Sequence, residues 1–435
     1  MQVEFAFGKS PISLQLPEGF RYRLLKARSA APLAGPAAAI ERGLDAPLAG
    51  PPLAELARGK KSAAISVCDI TRPVPNREIL PPMLRRLERA GIARPNILIL
   101  IATGSHRAAT PAEIEEICGG YVAENYAVAN HDGADLSAHQ DLGATPSGTR
   151  VYLDRRFIAA DLHITVGFIE PHLMAGFSGG RKLVAPGLAA TETIKTLHSP
   201  RFMRDPRAVE GSLENNPLHR ELLEIARMAR HDFMLDVALA RNAERGPRAI
   251  AGVFAGAPAE AHAAGAEFVA RVMRESLPEP VDAVITTAAG YPLDLTFYQA
   301  VKGVTAAAHV VKPGGKILLL AACDEGIGGG QFARLIEENP SDRAFLEKIA
   351  RAPVIPNQWQ LEKLALVTQK AEVSYYVPGL PRRYASSVWG AVRDSAGGAV
   401  AALARALPPN ASVALIPEGP YVLASLDGEQ VKSSY

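Results

Sequence analysis

Four stretches of the sequence combine side chains that carry chemistry with residues that let the backbone approach a ligand. Asp69-Ile70-Thr71-Arg72-Pro73 directly follows an apolar run. An arginine held there can fork onto a carboxylate or a phosphate, or Asp69 and Arg72 can simply tie down a loop. Thr103-Gly104-Ser105-His106-Arg107 follows a second apolar run. His106 stands after a glycine that permits close approach, so it is a general-base candidate as well as an ordinary structural histidine. The third stretch, Glu170 to Lys182, contains His172 and three glycines, Gly176, Gly179 and Gly180. Such a loop exposes backbone N–H groups and can cradle an anion. It is no Walker loop, because Leu183 follows Lys182. Lys182 is a candidate phosphate ligand, Schiff-base amine or cofactor attachment point, against the bland reading of a surface lysine beside a turn. The fourth stretch is Thr196-Leu197-His198-Ser199-Pro200. His106, His172 and His198, from separate loops, also make a candidate metal set, since imidazole suits zinc, copper, iron and nickel.

The second half of the chain adds Tyr298, Gln299 and Lys302. Tyr298 and Lys302 are four residues apart and share a helix face, although a solvated helical lysine looks the same on spacing alone. Gly326–Gly330 is a further close-approach loop. His131, His163, His219, His231 and His262 read as structural, and Asn215-Asn216 as the cap of a helix starting at Pro217.

Strands and helices must position these groups. Ala63–Cys68, Asn96–Ala102 and Asp161–Phe168 read as buried strands. Asn76–Ala90 reads as a helix, and Pro111–Cys118 as another, with Thr110 and Glu113 as its capping box. A second series begins near residue 280: strand Val281–Thr287, helix Leu295–Val310, strand Lys316–Ala322 after the turn Pro313-Gly314-Gly315, helices Glu337–Ile349 and Trp359–Lys370, and a late strand Ser412–Ile416. Ala30–Arg58 reads as short helices, and Ala257–Glu275 as a long one running up to Pro278 and Pro280. Nearly all-apolar strands alternating with helices predict an α/β fold of two domains, each a mainly parallel sheet flanked by helices. The expected division is 1–276 and 277–411, with the stretch from about 412 a candidate to return to the N-terminal domain.

Composition narrows the function classes. The 435 residues carry 47 Lys+Arg against 45 Asp+Glu, a net charge of +2, which gives no electrostatic reason to expect nucleic acid or an anionic membrane. No apolar run reaches the roughly 18 residues of a membrane span. The N-terminus has no signal-like apolar stretch, and Cys68, Cys118 and Cys323 lie far apart. A cytoplasmic protein without a disulfide framework is therefore expected. The absence of a GxGxxG after a strand argues against an NAD-dependent dehydrogenase.

Taken together, DITRP, GSHR, HLMAGFSGGRK, LHS and FYQAVK resemble the nickel-dependent lactate racemase family, over about residues 60–370. The resemblance implies an isomerase that inverts the carbinol carbon of a 2-hydroxy acid. Hydride would pass to, and return from, a tethered nickel-pincer nucleotide, a pyridinium-3-thioamide-5-thiocarboxylate mononucleotide. It implies that Lys182 carries this cofactor, that Asp69, Thr71, Ser178, Gly179 and Gly180 help bind it, and that His198 is the protein ligand to nickel. His106 and His172 would be the acid/base pair, and Arg72, Tyr298, Gln299, Lys302 and Trp359 would contact substrate in an interdomain cleft. Cofactor-synthesis and nickel-insertion proteins would be partners. Pocket-shaping Cys68, Met174 and Phe177 leave open a larger 2-hydroxy acid or a sugar acid. A non-catalytic family member is the competing class, against which the retained His106, His172, Lys182 and His198 argue.

Overall fold

A computed structural model describes residues 1–240 and 249–428. They form two compact units. The first comprises Ser29–Leu197 and Asp205–Val272; the second comprises Met1–Arg28, His198–Arg204 and the described residues from Met273 onward.

The first unit is built on a six-stranded sheet. In spatial order its strands are Ile250–Gly256, Phe233–Leu239, Leu162–Phe168, Ala63–Cys68, Ile97–Ala102 and Ala127–Asn130. All neighbours are parallel except the first pair. Every residue of Ala63–Cys68 and of Leu162–Phe168 is buried, which is why these strands read as continuous apolar runs. Asn76–Arg89 packs Ile79, Leu80, Met83 and Leu87 into the same core. The capping box at Thr110 and Glu113 and the Asn216 cap of Pro217–Met228 both form.

The second unit carries a six-stranded, all-parallel sheet: Ala391–Val392, Glu372–Tyr376, Val311–Leu320, Val281–Thr287, Ser412–Ile416 and Arg21–Leu24. Side chains alternate between two cores, as the period of a strand requires. Val284, Ile317 and Leu319 face the helices Phe297–Ala308 and Gln358–Lys370. Ala283, Ile285, Leu318 and Leu320 face the helix Ala396–Arg405 and the hairpin of Gln2–Phe5 with Ile12–Gln15.

The units depart from the expected division in four places, one being that Met273–Ser276 joins the second unit. Ser412–Ile416 does not return to the first unit; it pairs with Val281–Thr287. Residues 1–28 belong with it, because Arg21–Leu24 covers the edge that Ser412–Ile416 leaves open. Gly8 N donating to Asp294 Oδ2 at 2.7 Å and Ala6 N to Pro417 O at 2.9 Å hold the rest of that arm. The segment His198–Arg204 also leaves the first unit, for reasons given below. Three element limits differ as well. Asn339-Pro340 splits the expected 337–349 helix, giving Gly330–Glu338 and Asp342–Ile349. The long helix is Pro258–Met273, after which Arg274–Leu277 pairs with Leu423–Leu426. Pro313-Gly314-Gly315 lies inside a strand, where the register shifts, rather than before it. Among the described residues no helix is long and apolar enough to cross a membrane.

Candidate active site

In the first unit the singled-out residues stand beyond the carboxyl ends of three adjacent parallel strands, where ligands bind in open α/β sheets. Asp69 follows Cys68, His106 sits four residues past Ala102, and the 170–182 loop follows Phe168. Asp69 is buried and both its oxygens are engaged. Oδ1 accepts from the Thr71 hydroxyl at 2.5 Å and from Thr71 N at 3.1 Å, and Oδ2 accepts from His106 Nδ1 at 2.6 Å. Burial pushes the Asp69 carboxyl up, but hydrogen bonds from His106 and Thr71, with the charge of Arg72, outweigh it and hold it below the usual carboxylate range. With its Nδ1 proton on Asp69, the half-exposed His106 ring presents an Nε2 lone pair. Arg72 donates to Thr71 O and lies 4.0 Å from Glu170.

The 170–182 loop is shaped by contacts no other residue type permits. Gly176 has φ +75°, and a Cβ there would stand 2.2 Å from Ser212 O. Gly179 has φ +81°, and a Cβ there would stand 2.1 Å from Asp236 Oδ2, the oxygen that accepts from Gly180 N at 2.7 Å. The Ser178 hydroxyl donates to Phe168 O and accepts from Glu170 N, so it braces the loop. Beneath it, the buried Arg181 guanidinium reaches Ala175 O at 2.8 Å and His262 at 2.6 Å. Lys182 follows. Burial, with the charges of Arg181 and Arg72 beside it, lowers its amine to about 7. His172 pairs with Gly176 in a short hairpin, and its Nδ1 accepts two long hydrogen bonds, from Met174 N at 3.4 Å and Ala175 N at 3.3 Å. Its neutral form thus carries the proton on Nε2, the opposite arrangement to His106.

The second unit gathers the remaining residues. Tyr298, Gln299 and Lys302 occupy the first turns of Phe297–Ala308, which Thr296 caps. The Tyr298 hydroxyl is hydrogen bonded to the ring N–H of Trp359, and burial pushes its ionisation up. Trp359 is in turn packed against the His198 imidazole, ring centres 4.5 Å apart. Gln299 Oε1 is buried with no hydrogen-bond partner among the described residues.

The family models match both halves of the chain. A lactate racemase N-terminal domain model matches residues 7–211, and a lactate racemase C-terminal domain model matches 277–424. A lactate racemase of Thermoanaerobacterium thermosaccharolyticum is 36% identical over 370 residues, spanning 84% of this chain and 85% of that protein. The chain belongs to the lactate racemase family.

A lactate racemase of Lactiplantibacillus plantarum is 39% identical over 332 residues, covering 75% of this chain and 76% of the relative. The solved lactate racemase apoprotein of T. thermosaccharolyticum superposes with a TM-score of 0.90 at 32% identity, over 98% of this chain and all of that one. A Thermotoga maritima protein shares the fold, with a TM-score of 0.65 at 18% identity over 92% of this chain. Membership makes this protein an isomerase of the racemase kind.

Within this racemase fold, the sequence-derived residues fall into two sets. Asp69, Thr71, Arg72, His106, His172, Ser178, Gly179, Gly180 and Lys182 belong to the first unit. His198, Tyr298, Gln299, Lys302 and Trp359 belong to the second. A tri-histidine metal site is not formed: among the described residues no three His, Cys, Asp or Glu side chains are gathered to hold a metal ion. Sequence reasoning missed Asp69 as the partner of His106, and Asp236 with His262 as the floor of the lysine loop. Asp69 had a signal, an acid at a strand end beside another strand-end histidine; Asp236 and His262 lie far along the chain and had none.

Proposed function

We propose that this protein racemises a small 2-hydroxy acid, lactate first among candidates, with His106 and His172 handling the hydroxyl proton. The observation that carries the reading is the 2.6 Å hydrogen bond that fixes His106 Nδ1 on buried Asp69 and leaves Nε2 as a base. The family names of its relatives support the same reaction.

The residues fit a tethered nickel-pincer mononucleotide. An amine lowered to about 7 is substantially neutral, hence nucleophilic, near neutral pH, as a thioamide link requires. The Gly179–Gly180 turn leaves backbone room that a Cβ would close. With no protein cage of three ligands among the described residues, a metal on His198 would take its other donors from the cofactor. Lys182 would hold the group covalently, His198 would bind its nickel, and Asp69, Thr71 and the Ser178–Gly180 turn would border it. When bound, it supplies an acceptor for the hydrogen that leaves the carbinol carbon with its bonding electrons.

The chain's own residues do the rest. His106 Nε2 takes the hydroxyl proton, and Asp69 stabilises the imidazolium so formed. Arg72 forks onto the substrate carboxylate and Lys302 adds a point charge, and both hold the planar 2-keto acid by that group. Gln299 Oε1 offers an acceptor to a substrate or cofactor hydroxyl. His172 donates to the substrate oxygen through Nε2. To give that proton up His172 must first take a second one from solvent at Nδ1, displacing the two long amide contacts; the donation then leaves a neutral ring with its proton on Nδ1. In the reverse direction the Nε2 lone pair of that tautomer takes the hydroxyl proton and protonated His106 returns one.

The test is the cofactor-loaded protein with enantiopure lactate deuterated at the carbinol carbon. Inversion with deuterium kept on that carbon is the expected result. Loss of the label to solvent would replace hydride transfer with proton abstraction, and turnover of a sugar acid but not lactate would move the substrate class. No inversion of any 2-hydroxy acid would overturn the reading.

A further inference from the structure

His198 follows directly on the Thr191–Leu197 helix of the first unit, yet it packs with the second. The reason lies in the six residues after it. Pro200–Met203 is a single helical turn with Phe202 and Met203 buried. Its end is gripped by two consecutive residues of the Gln358–Lys370 helix. The buried Lys363 ammonium donates to Met203 O at 2.9 Å. The Glu362 carboxylate, whose side chain is fully buried, accepts from Arg204 Nε at 2.8 Å, and Arg204 also donates to Leu346 O. One turn earlier on the same helix stands Trp359, against which the His198 ring rests. Residues three and four apart share a helix face, so one face holds both ends of the segment.

A lysine and a glutamate buried side by side are costly to desolvate, and packing alone needs neither. Each is aimed at this segment, one at a backbone carbonyl and one at a guanidinium. We propose that Glu362 and Lys363 are positioning residues for His198: they latch the 198–204 segment to the helix and set the imidazole against Trp359. The proposal rests on His198 being the nickel ligand. The bonds at 203 and 204 add to the buried Phe202 and Met203 and to the ring contact at Trp359 in holding the seven-residue segment in one orientation. Preorganising a ligand in this way slows loss of the metal rather than building the site.

The test uses loaded holoenzyme challenged with EDTA, with nickel followed by elemental analysis and the organic cofactor by intact mass. Lys363→Met and Glu362→Leu are expected to lose nickel at least ten-fold faster than wild type while keeping the mass increment on Lys182. Lys363→Arg and Glu362→Gln, which retain a donor and an acceptor, are expected to behave as wild type. A second readout needs no metal. In the unloaded protein the His198 ring-proton signal, assigned by its absence in His198→Gln, is displaced by the Trp359 ring current. It should move toward the free-histidine position in Lys363→Met and stay put in Lys363→Arg. Should Glu362→Leu fail to fold, Lys363→Met decides, since it removes the bond to Met203 O and leaves Glu362 paired with Arg204. Wild-type nickel loss together with an unmoved His198 signal in Lys363→Met would overturn the latch. Stoichiometric nickel in His198→Ala would instead overturn the ligand reading, and the ring signal alone would then judge the latch.

Discussion

The two sets of site residues are built by different physics. In the first unit the chemistry sits on loops whose shape depends on glycines in the left-handed region and on charges taken out of water: Asp69, Asp236, Arg181 and the Lys182 amine. In the second it sits on two helices and on the turn that bears His198, where ring packing brings Tyr298, Trp359 and His198 together. The first arrangement tunes proton affinities, which suits bases and nucleophiles. The second chiefly orients side chains by packing, although burial also pushes the Tyr298 ionisation up, and this suits a metal ligand and a substrate wall. Substitutions in the two regions should therefore fail in different ways.

The largest expected effect is in the first region. Lys182→Ala should abolish both the covalent mass increment and activity; a retained increment would move the attachment point. His198→Ala, in the second region, should lose nickel while keeping much of the organic cofactor, so elemental analysis and mass would separate the two.

Next come the histidines. His106→Ala and His172→Ala should each lower turnover of both enantiomers by about 10²–10⁴-fold, the scale of a positioned acid or base. Their surroundings sharpen this. Because His172 is set as a donor through Nε2, His172→Gln should recover part of the loss, whereas His106→Gln should not. Asp69→Asn should cost roughly 10–10³-fold by unsettling the His106 tautomer, with the fold intact. Equal behaviour of the two glutamine variants in steady-state assays would erase the distinction between the rings.

The same contrast explains what the sequence made legible. Ala63–Cys68 and Ser412–Ile416 are read to the residue because a fully buried parallel strand is apolar at nearly every position, Ser66 and Ser412 being the exceptions. The 170–182 loop is visible because Gly176 and Gly179 occupy conformations other residues avoid. The partners of that loop, Asp236 and His262, are brought to it by the sheet and by a helix, 56 and 84 residues on, which no local pattern encodes. The second-unit site depended on family resemblance, since a tyrosine and a lysine at helical spacing are ordinary. The N-terminal arm was misplaced because Arg21–Leu24 is a short, mostly exposed edge strand with no apolar signature.

A smaller effect tests the carboxylate clamp. Arg72→Lys replaces a planar fork with a point charge and should lower kcat/KM by about 10- to 100-fold, the worth of a charge-assisted hydrogen bond. Lys302→Ala should act similarly, and the double substitution should be less than additive if both grip one group. Substrate amides turning over as well as the acids would dissolve the clamp.

The smallest effect is one of stability, and it separates the regions by pH. In the unfolded chain a lysine titrates near 10.4, whereas burial beside Arg181 and Arg72 brings Lys182 to about 7. Between those values the unfolded state binds the extra proton, so stability of the unloaded protein rises with pH across about 7 to 10. Asp236 runs the other way. Burial raises it to about 7, the folded state holds the extra proton between about 4 and 7, and stability falls as pH rises through that window. Lys182→Met should therefore stabilise the unloaded protein at pH 7, by on the order of 2 kcal/mol once the partly open side chain is allowed for, and the gain should fade toward pH 10. Asp236→Asn should stabilise it at pH 8 and not at pH 4. Trp359→Phe, which changes no charge, should show a pH-independent difference. Melting curves of the four proteins at pH 4, 7, 8 and 10 decide the matter. A Lys182→Met gain that does not shrink with rising pH would mean the lysine is held by packing and not by an electrostatic cost.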